Sequence, residues 1–265
     1  MTDALSAEMI AALTALAAQL QAWFAGGALV FARIGPVFAV VPVFGERVVP
    51  ARIRLAAALV TTVVVAPAVV GAVPVPPPTP LGWVIFSAQE TLIGMMLGMA
   101  LRLMIQALMM AGTMAAQATS LSQAFGGAGV DPQPAISQVL VMAGLCAAAM
   151  AGLPERLVQY LVLSYELFTP GQWPDPASVA QWGVARVAQA FALAFSLAAP
   201  FVIGAGLYNL ALGAINRAMP QLMVAFVGAP ALTLGGLFLL FITAPIMLSV
   251  WIPAFLATLG NPVAP

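Results

Sequence analysis

The chain has 265 residues, of which 63% are hydrophobic and 6% are charged, with eight arginines balanced by eight acids and no lysine or histidine. A soluble domain carries about 25% charged residues. This composition therefore excludes a water-soluble surface and indicates an integral membrane protein. The missing residue types exclude a Schiff-base lysine, a P-loop lysine and a histidine metal site, so we expect no cofactor. Zero net charge without a basic cluster argues against nucleic acid as a partner.

The distribution of apolar residues predicts an all-α, polytopic membrane protein. The first apolar segment is long enough to cross a hydrocarbon core of about 30 Å, and it carries no arginine, so we predict a retained helix and not a signal peptide. A proline-rich turn at 74–80 and a glycine- and proline-rich break at 126–134 separate later segments, and 154–168 is amphipathic. No repeat of fixed period is present, which predicts one domain over 1–265. The six apolar segments are 9–31, 55–73, 81–121, 135–153, 179–212 and 222–259.

The charges around the first loop predict an orientation in the membrane. The N-terminal stretch holds only acids, whereas the loop that follows the first segment holds Arg33, Arg47, Arg52 and Arg54 against Glu46. Cytoplasmic loops are rich in arginine. We therefore predict that this loop faces the cytoplasm, and that six spans place both chain ends on the exterior side.

Four residues spaced by four form one stripe of the third segment: Glu90, Gly94, Gly98 and Arg102. The two glycines make a GxxxG pattern, which allows another backbone to approach closely. A charge inside a membrane is costly unless it is paired or faces water. Because three turns separate Glu90 from Arg102, each needs a partner elsewhere. The stripe is interpreted either as a helix-packing face or as a polar seam for protons or substrate.

Methionines and a polar stretch follow on the same segment. Seven of the 14 methionines lie between Met95 and Met114, and such flexible side chains form either a soft seal or ordinary apolar filling. The candidates for a seal are Met104, Met109, Met110 and Met114. The polar stretch that leads into the glycine-rich loop is either a pore plug or a surface loop. The candidate plug residues are Gln117, Ser120, Ser122, Gln123, Phe125, Gly126, Gly127, Gly129 and Asp131.

Landmarks in a fixed order across residues 23–251 resemble the FliR family of flagellar biosynthetic proteins. They begin in the first-loop motif, continue through Leu92-Ile93-Gly94, Asp131-Pro132 and the Ser164…Pro170-Gly171 turn, and end in a C-terminal motif. Met223 and Ala225 depart from the asparagine and phenylalanine that are usual in the family. The first-loop residues are Arg33, Pro42, Glu46, Arg47, Pro50 and Arg54, and the C-terminal residues are Asn216, Arg217, Pro220, Gln221, Gly228 and Pro230.

The resemblance implies a structural, non-enzymatic subunit of the flagellar type III export gate in the bacterial inner membrane, at the flagellar basal body. Its partners would be FliP and FliQ subunits, FlhB, and flagellar proteins in transit through the channel. It also implies a FliP-like part over 1–175, a FliQ-like hairpin over 176–265, and helices lifted above the bilayer plane. The stripe from Glu90 to Arg102 would pack on FliP or FliQ. The turn with Arg217, Pro220 and Gln221 would lie near FlhB, and 117–131 would plug the channel.

Three alternative functions remain open from the sequence. The homologous subunit of a virulence injectisome would share the fold and differ in its substrates. A proton-coupled secondary transporter would use Glu90 and work alone. An intramembrane enzyme is disfavoured, because the chain has no histidine base and no carboxylate pair at catalytic spacing.

Overall fold

The computed structural model describes residues 2–41, 50–74, 76–77, 79–119, 135–219 and 224–263, with 2–8, 119 and 224–230 described by their backbone alone. These ranges contain α-helices and one short 3₁₀ turn at Val70–Ala72, and no strand, which confirms the predicted all-α class. The helices are α1 (Thr2–Val40), α2 (Ala51–Val69), α3 (Pro80–Thr119), α4 (Ala135–Met150), α5 (Leu153–Leu167), α6 (Pro176–Ala218) and α7 (Val224–Gly260).

Five of the described helices are long and apolar enough to cross a membrane. A sixth crossing is formed if α4 and α5, which are bent by 77° relative to each other, act as one broken span. The predicted polytopic architecture of about six apolar segments is therefore confirmed. The helix α5 also coincides with the predicted amphipathic stretch.

The first helix is longer than predicted. The sequence placed its end at 31 and assigned Arg33 to the following loop, but α1 continues to Val40 and contains both Arg33 and Pro36. Proline has no backbone N–H, so the carbonyl of Ala32, four residues earlier, loses its helical donor. The hydroxyl of Thr91 donates to that carbonyl at 3.3 Å. The assignment of Arg33 to a cytoplasmic loop was wrong, and the orientation now depends on the remaining arginines.

Each of two compact units is built from separate stretches of chain. The first comprises residues within 1–102, 155–179 and 260–263, and the second comprises residues within 103–154 and 180–259. The division into compact units does not measure similarity to other subunits. The predicted single domain with a FliP-like and a FliQ-like part therefore stays a prediction.

In the first unit, α1 and α3 run parallel in close contact, because Arg33 lies against Gly94 and Val37, one turn later, lies against Gly98. Ile34 and Ile93 are completely buried in this unit. The turn before α6 is held by Asp175, whose carboxylate Oδ2 accepts hydrogen bonds from the Ser178 hydroxyl at 2.7 Å and the Ser178 N–H at 2.8 Å. These bonds hold the pKa of Asp175 below its usual value. They also cap the first turn of the helix.

The core of the second unit is organised around Trp251. Its indole N–H donates to the carbonyl oxygen of Met104 at 2.7 Å, and its ring stacks on Phe255 with 4.8 Å between ring centroids. Gly144 makes room for this ring, since a Cβ there would lie 3.3 Å from the indole and 2.5 Å from Leu108. Trp251 therefore links α7 to α3 with its polar atom satisfied in an apolar interior.

Candidate functional site

A buried charge cluster centres on Arg33 of α1. Its Nε donates to Glu90 Oε2 at 2.6 Å, and both side chains are almost completely buried. Nη1 donates to the carbonyl oxygen of Ser164 at 2.9 Å and to its hydroxyl at 3.3 Å, and Nη2 donates to the carbonyl of Phe168 at 3.2 Å. The guanidinium also lies 3.8 Å from the centroid of the Tyr165 ring. Arg33 thus joins α1, α3 and the end of α5.

Two neighbouring residues of α3 hold the turn that follows α5. Glu90 Oε1 accepts a hydrogen bond from the N–H of Gly171 at 3.2 Å. With its side-chain amide assigned so that oxygen and nitrogen both find partners, Gln89 donates to the carbonyl of Gly171 at 3.2 Å and accepts from the Trp173 indole at 2.9 Å. Gly171 has φ 77°, a conformation that favours glycine. A Cβ there would also lie 2.5 Å from the ring of Phe86. Both the backbone conformation and the lack of space therefore favour glycine at this position.

Both buried charges of the cluster have compensating partners. An uncompensated charge in a membrane interior is costly, and here the carboxylate meets one cation and one backbone donor while the guanidinium meets a carboxylate and two carbonyls. Removing one member of a buried ion pair costs about 3–5 kcal/mol in general. The arrangement can therefore lock three separate helices together, and it presents no exposed carboxylate for proton exchange.

The predicted glycine stripe faces α1 of the same chain. A Cβ on Gly94 would overlap the carbonyl oxygen of Arg33, and a Cβ on Gly98 would lie 3.1 Å from both Val37 Cα and Val40 Cβ. Packing of these residues on FliP or FliQ stays a prediction. Arg102, one turn further on, is half-buried. Among the described side chains, no carboxylate lies within ion-pair distance of Arg102.

The predicted seal residues lie on the second half of α3. Met104 is completely buried beneath Trp251, while Met109, Met110 and Met114 are half-buried. Gly112 lies on the same stretch, and a Cβ there would be 2.5 Å from Ser137 Cα of α4. The Ser137 hydroxyl donates to the carbonyl of Met109 at 2.9 Å. The start of α4 is therefore pinned against the methionine-rich part of α3.

Several predicted motif residues lie at helix ends or outside the described residues. Gln117 is exposed near the end of α3, Pro50 and Arg54 lie at the start of α2, and Asn216 and Arg217 are exposed at the end of α6. Gly228 and Pro230 belong to the backbone of α7. Residues outside the description are Pro42, Glu46, Arg47, Ser120, Ser122, Gln123, Phe125, Gly126, Gly127, Gly129, Asp131, Pro220 and Gln221.

The sequence reasoning missed a second buried arginine, Arg186 of α6. Its Nη1 faces Gln189 Oε1 at 3.2 Å and Thr258 Oγ1 at 3.5 Å, and its guanidinium lies 5.9 Å from the centroid of the Trp182 ring. The available signal was a single arginine inside a long apolar segment, with a glutamine three residues later on the same helix face. Ser164 and Tyr165 were not predicted to contact Arg33, because nothing in the sequence links them to it.

The sequence of this chain is similar to known proteins of one family. A model of the family described as bacterial export proteins, family 1, matches residues 24–258. The chain belongs to this family. It is 34% identical over 242 residues to the flagellar biosynthetic protein FliR of Caulobacter vibrioides, covering 90% of the chain and 95% of that protein. It is 29% identical over 213 residues to FliR of Bacillus subtilis, covering 76% and 79% respectively.

The resemblance to the FliR family that the sequence motifs suggested is thus confirmed. As a family member with flagellar relatives, the chain is a component of the flagellar type III export apparatus. Its apolar helices make it a multi-pass membrane protein.

Proposed function

We propose that the chain is a structural, non-enzymatic subunit of the export gate. In this proposal it assembles with FliP and FliQ subunits in the bacterial inner membrane, at the base of the flagellum, and contacts FlhB on the cytoplasmic side. Together they form the channel through which unfolded flagellar proteins leave the cell. The proposal follows from family membership together with one structural observation, the length of the apolar helices.

The apolar helices are too long for a bilayer alone. The 43 residues of α6 correspond to about 64 Å, and the 39 residues of α1 to about 58 Å, whereas the hydrocarbon core is about 30 Å thick. Large apolar side chains are nevertheless exposed along most of α6. They include Val184, Phe191, Phe195, Ile203, Leu207 and Leu210. Lipid can cover about half of such a helix, so partner subunits are needed to cover the rest.

The N-terminal half of α1 also exposes apolar surface that lipid or partner subunits must cover. Every residue from Met9 to Phe24 is exposed, and this stretch is apolar except at Thr14, Gln19 and Gln21, with Leu13 and Phe24 at 57% and 77% exposure. A helix that is hydrophobic all round is normally buried in protein or lipid. This exposure supports assembly into a larger complex over function as an isolated subunit.

We propose that residues 117–131 plug the channel, and that Met104, Met109, Met110 and Met114 form a soft seal beside the plug. The position of α4 supports this proposal. The contact between Gly112 and Ser137 brings the start of α4 against α3. The start of α4, which follows this stretch in the sequence, therefore lies next to the methionine-rich part of α3.

The environment of Glu90 favours this structural role over a proton-coupled transporter. Glu90 is 1% exposed, and its two carboxylate oxygens are held by Arg33 and Gly171. Protonation would leave the guanidinium of Arg33 buried without its counter-ion. The relatives named above are flagellar proteins, which favours a flagellar gate over an injectisome.

Assembly is tested by tagging the chromosomal copy and extracting the membranes in mild detergent. We expect native mass spectrometry to find the chain in a complex that contains FliP and FliQ and is far heavier than its own 27.2 kDa. Deletion of the gene should abolish flagella and motility, and a plasmid copy should restore them. A functional protein that runs as a monomer in flagellated cells would overturn the proposal.

The plug is tested separately by deleting Gly126–Gly129. We expect higher permeability to small ions in cells whose complexes contain normal amounts of FliP and FliQ. A control variant replaces the same four residues by Ser-Gly-Ser-Gly, which keeps the length and the small side chains and should remain tight. Normal ion permeability in the deletion strain, with complexes intact, would contradict the plug and leave the assembly proposal standing.

A further inference from the structure

Two tyrosines of α5 are buried in the first unit, and they differ in the state of their hydroxyl groups. Tyr160 is completely buried, and its hydroxyl donates to the carbonyl oxygen of Leu97 at 2.9 Å. Tyr165 is 6% exposed, and its hydroxyl oxygen is closed to solvent and makes no hydrogen bond with a described residue. Burying a hydroxyl without a partner is unfavourable, because the group loses its hydrogen bonds to water. The Tyr165 hydroxyl therefore destabilises the conformation in which it is buried.

The ring of Tyr165, unlike its hydroxyl, has a partner. The ring centroid lies 3.8 Å from the guanidinium carbon of Arg33, where the negative face of an aromatic ring attracts a cation. Phenylalanine would keep this contact and the same apolar burial without the hydroxyl. The described conformation thus accounts for an aromatic ring at position 165, but it does not account for the hydroxyl.

Arg33 also closes the C-terminal end of α5, which ends at Leu167. Carbonyls in the last turn of a helix need donors from outside it. Arg33 donates to the carbonyl of Ser164, in the last turn, and to that of Phe168, just past the end. A cation at this end of a helix also interacts favourably with the helix dipole. The end of α5 is therefore held on α1 by the same side chain that contacts the Tyr165 ring.

The turn that follows α5 depends on the same two charges. One carboxylate oxygen of Glu90 accepts from Arg33, and the other accepts from the N–H of Gly171 in this turn. A single carboxylate thus binds both the turn and the arginine that closes α5. The contacts at the end of α5 and those of the turn are therefore coupled, and we expect them to be lost together.

We propose that the end of α5 and the turn after it, residues 164–173, form a latch that opens as one unit, and that the Tyr165 hydroxyl favours its opening. In the closed conformation, Arg33 and Glu90 hold the latch and the buried hydroxyl has no partner. In the open conformation, the hydroxyl is hydrated. The hydroxyl thus limits the stability of a closed state that the buried ion pair would otherwise hold shut. The latch lies within one chain and does not depend on which subunits surround it.

The test measures amide hydrogen exchange in the complex that co-purifies with the tagged chain. Peptides that cover the latch report on the N–H groups of Phe168 and Gly171, which donate to the Ser164 carbonyl and to Glu90. Exchange through local opening follows the free energy of that opening. We expect Tyr165→Phe to slow exchange in the latch about fivefold or more, because it removes an unpartnered buried hydroxyl. Exchange in α2 should stay unchanged.

Two further variants separate the hydroxyl from the ring and from tyrosine in general. Tyr160→Phe removes a hydroxyl that has a partner, so it should not slow exchange in the latch. Tyr165→Leu removes the ring from Arg33 and should speed exchange. Unchanged or faster exchange in Tyr165→Phe would overturn the proposal. Equal slowing in α2 would also overturn it, since that would indicate global stabilisation and not local opening. Failure of Tyr165→Phe to assemble would do the same, because the closed structure would then need the hydroxyl.

Discussion

Gly94 and Arg33 touch through their backbones, with the carbonyl oxygen of Arg33 occupying the space that a side chain at 94 would need. The side chain of the same arginine forms an ion pair with Glu90, one turn before Gly94, with 2.6 Å between Arg33 Nε and Glu90 Oε2. Close approach and charge pairing are therefore parts of one contact. If α3 moved away to accommodate a side chain at 94, the short ion pair would stretch inside an apolar interior.

The first prediction concerns Gly94→Ala. The added methyl group collides with backbone, which cannot rotate away, so we expect destabilisation of about 1–3 kcal/mol or more from overpacking. A larger substitution, Gly94→Leu, should prevent recovery of the complex. Thermal unfolding of the detergent-extracted complex measures the first effect, and co-purification of FliP and FliQ measures the second.

Gly183→Ala is the control for this prediction. It adds the same methyl group to α6 at a position with nothing within 4 Å. Because alanine favours a helix over glycine by about 1 kcal/mol, this variant should be as stable as the wild type or slightly more stable. Equal melting temperatures for Gly94→Ala and Gly183→Ala would contradict the close contact.

The second prediction concerns the buried ion pair. Glu90→Gln keeps the size of the side chain but leaves Arg33 buried without a counter-charge, so we expect a loss of about 3–5 kcal/mol. Arg33→Gln should cost a similar amount. The double variant should lose less than the sum of the two, because neither charge then remains uncompensated.

Thermal unfolding of the four proteins of this cycle gives the coupling free energy directly. Glu166→Gln is a matched control, because Glu166 is exposed on α5 near the cluster, and we expect its melting temperature to match that of the wild type. Additive effects of the two cluster substitutions would show that Arg33 and Glu90 do not stabilise the fold as a pair.

The sequence predicted much of the fold because membrane burial leaves a strong pattern. The apolar segments, the proline-rich turn at 74–80 and the amphipathic α5 all follow from local composition. The spacing of Glu90, Gly94 and Gly98 also indicated a close contact and a missing partner for Glu90. A periodic pattern on one helix identifies the face that is buried, but it cannot identify the element that covers it.

The partner of Glu90 was not predictable for two reasons. Arg33 is 57 residues away, and a charged residue followed by Pro36 is typical of a helix end. The carbonyl that the proline leaves free accepts a hydrogen bond from Thr91, on a different helix. Part of the support for α1 at this point therefore comes from a residue distant in the sequence. The same holds for Ser164, whose carbonyl reaches Arg33 across 131 positions.

The third prediction tests this proline compensation. Thr91→Val removes the hydroxyl and leaves the Ala32 carbonyl without a donor, which should cost about 0.5–1.5 kcal/mol. Pro36→Ala restores a backbone N–H to the same carbonyl. In the Pro36→Ala background, Thr91→Val should therefore cost much less, as measured by thermal unfolding.

Thr113→Val is the control for this cycle. The Thr113 hydroxyl donates to the carbonyl of Met109 at 2.9 Å, but that carbonyl also accepts from the Ser137 hydroxyl. Removal of the Thr113 hydroxyl should therefore have the same small effect on stability with proline or alanine at position 36. If the cost of Thr91→Val did not change with the residue at 36, the hydroxyl would not be compensating for the proline.

The fourth prediction concerns the number of membrane crossings. The helices α4 and α5, of 16 and 15 residues, are each about 24 Å or shorter, so neither crosses the bilayer alone. If the bent pair makes one crossing, Thr79 and Asn261 face the same side and Asn216 faces the other. If the pair does not cross, Asn216 joins Thr79 and Asn261 moves to the opposite side. The predicted six-span topology expects the first arrangement.

Single cysteines distinguish these two arrangements. The chain has one native cysteine, Cys146, which is exposed, so Cys146→Ala provides a background without reactive thiols. A membrane-impermeant maleimide added to spheroplasts should label Thr79→Cys and Asn261→Cys, and it should label Asn216→Cys only after the membrane is permeabilised. Labelling of Asn216→Cys in intact spheroplasts, with protection of Asn261→Cys, would instead make α4 and α5 a re-entrant pair. The α6–α7 turn would then lie on the exterior, away from the cytoplasmic side where FlhB is proposed to bind.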